Sequence, residues 1–497
     1  MKKIKVIFFA LAALTLTNCE GFLDLRPEGT IPTTGIDYTK AENIFLPISA
    51  AYAKLRSYGA HVFPYIGAFE IASDNADKGS TPEDNPPMKE IDDLTYQSTN
   101  GLINSLWIGY YDIVSGANYA IHQMPLFYEA LYNNDDKQYA MRCQGEVKFI
   151  RAYAYFNLTR LFGRVPIIDT TLTSEQLASV RQATTEQLYE FIEKDLLEAI
   201  EVLPAFYSKE WAGRINKYTA MALKAKVHLY QAEWDSVASL TDRIIASGRY
   251  GLLSDFRAVF SIDEENSKES LFEIQSSTLG NSIGPSTYLE YAYVQGPRGN
   301  TPSNMQGWGF CTPSDNLIEF FESRGEVIRP ATTLLYRGTM TPEGDSIKNK
   351  CTNPVYNGKV YTPSYYNNWN YNGYGFDHNI RILRYSDVLL MHAEALVNGA
   401  AVPITSGITA NMAVNMVRER AGLENLSGVT IEQIWDERRA ELALEEDRFF
   451  DLIRTGQAKE AMSRVGKTFV EGKHEVYPIP AAQIQLNPNL TQNNGYN

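Results

Sequence analysis

Apolar positions along this chain recur mostly at the spacing of amphipathic helices. In residues 381–456, Val388, Met391 and Ala395, then Trp435, Leu442 and Phe449, mark one buried stripe per segment, with a further helix in NMAVNMVRERAGL between them. Upstream, Ile44, Ile48, Ala51 and Leu55 predict a helix over 40–57, and further helices are predicted over 104–122, 136–161 and 185–202. The third of these carries Val147, Ile150, Ala154 and Leu158 on one face and is stopped by Gly163 and Pro166. The clearest pair follows, with Tyr218, Ala222, Ala225 and Leu229 on one helix and Trp234, Val237 and Ile244 on the next, around a tight turn at Glu233. Small residues let such helices approach closely, and helix-turn-helix units of about 34 residues are the tetratricopeptide period. Stacked helical hairpins account best for 40–248.

The periodicity lapses between 254 and 379, where Gly, Pro, Asn, Tyr and Trp accumulate and LFEIQ at 271–275 reads as a short strand. Two aromatic clusters lie there: Tyr288, Tyr291, Tyr293 and Trp308, then Tyr361, Tyr365, Tyr366, Trp369, Tyr371 and Tyr374. Loops of this length inside a folded chain usually carry function. Residues 74–87 read as a polar loop. An EF-hand fails there because Ala76 takes the third ligand position, leaving room at most for an irregular cation site. Helices resume at Tyr385, and the tail from 477 reads as turns on the surface.

The charge between the C-terminal stripes reads as structural. Arg381, Arg384, Asp387, Glu394, Arg418, Arg420, Glu437, Arg438, Glu441, Arg448, Asp451 and Arg454 flank apolar faces, where charges pair. A glycoside hydrolase needs two carboxylates across a cleft, whereas here the acids interleave with arginine on one helix. The six histidines form no HExxH pattern, there is no GxSxG elbow, and His392 is expected to be packed. The reading is therefore of no enzyme, no cofactor and no metal centre.

At 497 residues, 44% hydrophobic and 21% charged, the chain has the composition of a folded protein, and its net charge of -14 argues against nucleic acid. Its N-terminus reads as a targeting segment: Lys2, Lys3 and Lys5 precede an apolar run over 6–16, too short to span a bilayer, and Leu16-Thr17-Asn18-Cys19 is similar to a lipobox. The expected organisation is a signal peptide over 1–18, a lipid-anchored tether over 19–39 with Cys19 lipidated, a helical-repeat region over 40–253, a loop-rich binding region over 254–380, and a helical region over 381–497 that packs back on the scaffold. Cys311 and Cys351 could pair, and Cys143 is expected as a buried thiol.

Many motifs follow one another in order. Cys19-Glu20-Gly21-Phe22-Leu23-Asp24 opens the series, and Trp107 and Asn118, the run GEVKFIRAYAYFNLTRLFGRVPII, and Arg384-Tyr385-Ser386-Asp387-Val388-Leu389-Leu390 with Ala393-Glu394-Ala395 follow. Arg418, Arg420-Ala421-Gly422, Glu437-Arg438, Glu441-Leu442, Arg448, Asp451-Leu452, Pro478-Ile479-Pro480, Asn487-Pro488 and Gly495-Tyr496 complete it. Taken in this order, the series resembles the SusD/RagB outer-membrane lipoproteins of Bacteroidetes. Glu446 departs from it, standing where the family often has glycine. The resemblance implies a mainly α fold, a tetratricopeptide-like helical-hairpin scaffold with a loop-rich, aromatic ligand-binding subdomain. It also implies outer-membrane, cell-surface localisation, a SusC-like TonB-dependent transporter as partner, capture of oligosaccharide or peptide, and no chemistry.

The family's scaffold motifs transfer no ligand contacts, so candidate site residues come from this sequence. Sugar rings stack their C–H faces on aromatics while hydroxyls take polar partners. Trp308, between Gly307 and Gly309 that would let its ring project, and Trp369, among asparagines, are the leading choices. Tyr288, Tyr291, Tyr293 and Tyr366 could complete an arc, with Tyr291 and Tyr293 on one face if the stretch is a strand, and Asp74 and Asn75 could supply hydrogen bonds. Trp107 is expected in the core. Peptide capture and a protein-binding helical adaptor are the alternatives.

Overall fold

The computed structural model describes residues 35–277, 289–300, 306–366 and 377–496. The helices that build the scaffold are α1 Phe45–Lys54, α2 Gly101–Ala130, α3 Asn134–Phe162, α4 Thr185–Val202, α5 Lys217–Tyr230, α6 Trp234–Ala246, α7 Tyr385–Val397, α8 Ala410–Arg420, α9 Ile431–Leu442 and α10 Arg448–Arg454. Local chemistry sets their ends. The Asn100 side chain accepts from the Leu102 and Ile103 amides, and capping boxes Thr184/Gln187 and Thr430/Gln433 open α4 and α9. Helix α2 runs well past 122, with Pro125 inside it.

Helices α2, α3 and α4 pack in succession, α5 pairs with α6, and α7 lies on α6 before receiving α8 and α9. The chain thus returns to close the scaffold it began, and one hydrophobic core runs from Ile44 to Tyr496. Trp107 is buried in it, edge-on to Phe162 at 5.1 Å. The tail is buried at its start and largely on the surface after it: Tyr477 donates from its amide to Leu161 at 2.7 Å and from its hydroxyl to Ala68 at 2.9 Å.

Strands β1 Ala76–Gly79, β2 Ser270–Ile274, β3 Phe310–Pro313, β4 Leu334–Tyr336, β5 Val355–Asn357 and β6 Ile380–Arg384 pair antiparallel as β1–β3, β2–β6 and β4–β5 among the described residues. The segment expected as a polar loop over 74–87 therefore begins as a strand, with Ala76 opposite Pro313 and Gly79 opposite Phe310. The stretch from 431 to 456 is two helices. They part at 443–447, where Leu444 (φ 62°) and Glu446 (φ 61°) are left-handed.

The C-terminal charges pair internally. Arg384 donates to Glu269 at 2.8 Å, Glu441 at 3.0 Å and Glu445 at 2.7 Å, and Arg420 reaches Glu269 and Glu441. Arg438 bonds Asp387 at 2.5 Å, and Arg454 bonds Glu394 at 2.6 Å. Nearly every partner is buried, so each charge offsets the burial cost of its counter-charge. Cys311 and Cys351 are both free and buried. Cys311 lies on β3 in the main core, while Cys351 belongs to a small cluster with Leu335, Ile347 and Tyr356, so the two are in separate surroundings and unpaired.

Candidate ligand-binding face

Pairing of β1 with β3 brings the turn after β1 against the turn before β3, and the candidate face is built at that junction. Ser80 donates from its amide to the Gly309 carbonyl at 2.6 Å and from its hydroxyl to the Trp308 carbonyl at 2.8 Å. The Trp308 amide donates to Tyr293 at 3.0 Å. The indole is half-buried, edge-on to Tyr293 at 5.8 Å and to Phe63 at 6.3 Å. The flanking glycines do different work from that expected. A Cβ on Gly307 would fall 2.2 Å from the Tyr293 carbonyl oxygen, and Gly309 is left-handed at φ 74°. They admit close backbone contact and fix the indole, rather than letting it swing outward.

Polar groups that sequence reasoning missed stand beside Trp308. Arg298 donates to the Ser80 hydroxyl at 2.7 Å and pairs with Asp84. Lys78 ties the same turn together by donating to the Thr81 and Asp84 carbonyls, each at 2.7 Å. The Ser80 hydroxyl first, and the Arg298 charge with it, hold the Asp84 carboxyl below its ordinary value. The signal available beforehand was weak: two turn-forming stretches, DKGST and GPRG, far apart in the chain.

Several predicted contacts are corrected. Asp74 and Asn75 are fully buried. Asp74 accepts from Arg448 and Arg439, whose charges hold its carboxyl well below the usual range against the cost of burial, and Asn75 accepts from Arg439 Nε at 2.9 Å. Carboxylate oxygens held on arginines also leave no cation site at Asp74. Tyr291 and Tyr293 lie on a short helix, Tyr291–Gln295, not a strand, and both are buried. Tyr291 donates to Glu446 at 2.5 Å and faces the interior. Tyr366 is half-buried against Tyr365, ring centroids 4.7 Å apart, while Tyr365 is 61% exposed. Burial, and then a hydrogen bond to Asp263, raise the Tyr366 phenol above its ordinary range. Tyr288, Trp369 and Cys19 lie outside the described residues.

One group of metal-competent side chains occurs among the described residues, Glu193, His228 and Glu233. Its carboxylates face different ring nitrogens: Glu233 bonds His228 Nδ1, and Glu193 lies 3.9 Å from Nε2. Glu193 also accepts from Gln231 at 2.8 Å and has Lys224 at 3.7 Å. This is an imidazole held by Glu233, and that bond closes the α5–α6 hairpin.

A helical-hairpin scaffold with internally paired charge, bearing a loop face of fixed aromatic and polar groups, defines a class of helical-repeat ligand-binding proteins. Residues 332–496 match the model described as the SusD family, and residues 22–229 match the model described as "Starch-binding associating with outer membrane". The chain belongs to the SusD/RagB family. It is 28% identical to SusD-like protein P2 of Formosa agariphila over 529 residues, covering 100% of both chains. Among solved structures, a laminarin-binding SusD-like protein superimposes with a TM-score of 0.77 at 26% identity, over 92% of this chain and 99% of that one. Surface glycan-binding protein A from Bacteroides thetaiotaomicron, in complex with laminarihexaose, shares the fold with a TM-score of 0.76 at 23% identity, over 91% and 99% of the two chains. Like the two binding proteins just named, the chain is a binding protein and not an enzyme.

Proposed function

We propose that this chain is a cell-surface lipoprotein, anchored through Cys19, that captures an oligosaccharide and delivers it to a SusC-like TonB-dependent outer-membrane transporter. The observation that carries the reading is the Trp308 face: an indole fixed between Tyr293 and Phe63, beside the Arg298–Asp84–Ser80 cluster. The aromatic plane takes the C–H face of a sugar ring, and guanidinium, carboxylate and hydroxyl take its hydroxyls. Tyr365 is a further exposed aromatic of the loop-rich region. Each contact is modest, so affinity accumulates over several sugar units. The starch-binding description of the 22–229 match and the laminarin-binding neighbour both support a glucan-like ligand. No helix among the described residues is long and apolar enough to cross a membrane, which fits anchoring by lipid.

Calorimetric titration of an oligosaccharide panel and a peptide mixture into wild type and Trp308→Ala tests the reading. Expected is glycan binding that weakens at least tenfold in the variant, about 1.4 kcal/mol or more. Binding of peptides with no glycan binding would overturn it in favour of peptide capture. Co-purification with the transporter without any ligand in either panel would leave a protein adaptor instead.

A further inference from the structure

A cleft of about 500 Å³ opens far along the chain from Trp308, between the α4–α5 connection (residues 205–216) and the segments at 249–250 and 263–273. That volume lies within the range of small-ligand sites. Two large aromatics line it while still facing water: Phe206 is 60% exposed and Trp211 44% exposed. Two exposed rings on the wall of one cleft form a single apolar patch open to a ligand.

Trp211 is held by its neighbours. Trp211 meets Phe45 edge-on at 5.5 Å and carries the Arg214 guanidinium at 5.1 Å. Arg214 is itself fixed by an ion pair to buried Glu146. The indole is thus braced from the scaffold side with much of its surface open. Phe206 carries the Arg249 guanidinium at 4.4 Å, and Tyr250 is positioned by its hydroxyl on Asn216 at 3.1 Å.

The polar lining selects the ligand. Four cationic and four acidic side chains line the cleft, so its local charge balances in a chain of net charge -14. Lys209, Arg249 and Lys268 form no ion pair among the described residues, while Asp263 and Glu264 stand on the opposing segment. An anion would face those carboxylates, and a cation would face those ammonium and guanidinium groups. A neutral molecule with hydroxyls that both donate and accept satisfies donors and acceptors together, and its C–H faces suit the exposed rings.

We infer that this cleft is a second carbohydrate-binding site, taking about two or three units of a neutral oligosaccharide on Trp211 and Phe206. Its ligand class rests on the glycan reading above, but its geometry does not involve Trp308. Asp263, on the cleft wall, bonds the Tyr366 hydroxyl, so the second site adjoins the loop that carries Tyr365. A chain engaging both sites binds the second intramolecularly and dissociates more slowly than either contact alone allows.

Titration of the purified chain with neutral tri- and hexasaccharides of the laminari-, malto-, cello-, manno- and xylo- series, followed by calorimetry and tryptophan fluorescence, tests this. Trisaccharides of at least one series are expected to fill two sites in wild type. One site is expected in Trp211→Ala and in Phe206→Ala, and the hexasaccharide should bind each variant at least fivefold more weakly. Phe206, outside the core, serves as the second variant in case Trp211→Ala fails to fold. Loss on Trp308→Ala with both cleft variants unchanged overturns the second site and leaves the proposed function standing. Loss on the cleft variants with Trp308→Ala unchanged keeps this site and removes the Trp308 face. Absence of binding by every saccharide overturns both.

Discussion

Asp74 and Arg448 meet as a two-pronged ion pair, Nε to Oδ1 at 2.7 Å and Nη2 to Oδ2 at 3.0 Å, and so join the start of the chain to its last third. Arg439 adds a third contact to Oδ2 at 3.2 Å. With all three groups buried, removing one partner leaves uncompensated charge. Asp74→Ala is expected to cost about 3–5 kcal/mol in urea denaturation. The arginine charges depress the folded carboxyl, so its contribution is complete above the unfolded value of 3.8 and is lost as pH falls towards the folded one. The wild type should therefore lose stability below about pH 4 more steeply than the variant. Equal acid slopes would place Asp74 outside the stabilising network.

The same residue shows which parts of the molecule were legible in the sequence. Helix period is a local property, and α4 and the α5–α6 pair lie where the apolar stripes put them. The Arg- and Glu-rich stretch was read as paired, and it is. The destination of Asp74 is set by Arg439 and Arg448, and no local pattern announces a partner more than three hundred residues away. Tyr291 and Tyr293 misled for a related reason: aromatic residues in a Gly-rich context suit a binding loop and a buried turn equally well, and the hydroxyl partner that decides, Glu446, comes from another segment. The Phe206 and Trp211 cleft escaped because its walls belong to two segments that meet only in the fold.

Gly307 offers a direct check on how Trp308 is held. An added methyl would lie 2.2 Å from the Tyr293 carbonyl oxygen and 2.6 Å from that of Gly296, both backbone atoms that cannot rotate away. Gly307→Ala is expected to lose about 1–3 kcal/mol of stability by overpacking and to weaken glycan binding by displacing the indole. At Gly101, the first residue of α2, an added methyl would meet nothing within 4 Å. Gly101→Ala should be neutral, or stabilising by up to about 1 kcal/mol. Thermal melts and the saccharide titration on the two variants measure the contrast, and similar behaviour of both would refute the crowding argument.

Stability should also fall towards alkaline pH. Glu70 is fully buried, accepting from the Glu446 amide at 2.9 Å and the Leu444 amide at 3.3 Å, and burial pushes its carboxyl from 4.5 up to about 8. Between those values the folded chain holds a proton that the unfolded chain has released, so stability declines as pH rises through the window. The steepest slope one such group produces is about 1.4 kcal/mol per pH unit. Glu70→Gln cannot titrate, and its stability between pH 5 and pH 8 should vary less than that of wild type. Parallel pH profiles for the two proteins would show that Glu70 is ionised throughout.

Glu446 combines two costs in one residue, and they can be separated. Its backbone is left-handed at φ 61°, a conformation that costs a residue with a Cβ roughly 1–2 kcal/mol. Its carboxyl is buried beside Glu70, and burial first and the Glu70 charge second raise it well above the ordinary range. Oε1 accepts from Tyr291, while Oε2 has no hydrogen-bond partner among the described residues. Glu446→Gly relieves the backbone and removes the acid, but it strands the Tyr291 hydroxyl, at a cost of about 1–3 kcal/mol. Tyr291→Phe alone deprives the carboxyl of its one hydroxyl donor. The double variant removes both halves of the bond and keeps the backbone relief, so it should be more stable than the two single effects predict, with a coupling of roughly 1–3 kcal/mol. Urea denaturation of the four proteins at pH 7 measures that term directly. Additive effects would mean that the Tyr291–Glu446 bond contributes nothing, and that glycine is favoured at this position by backbone geometry alone.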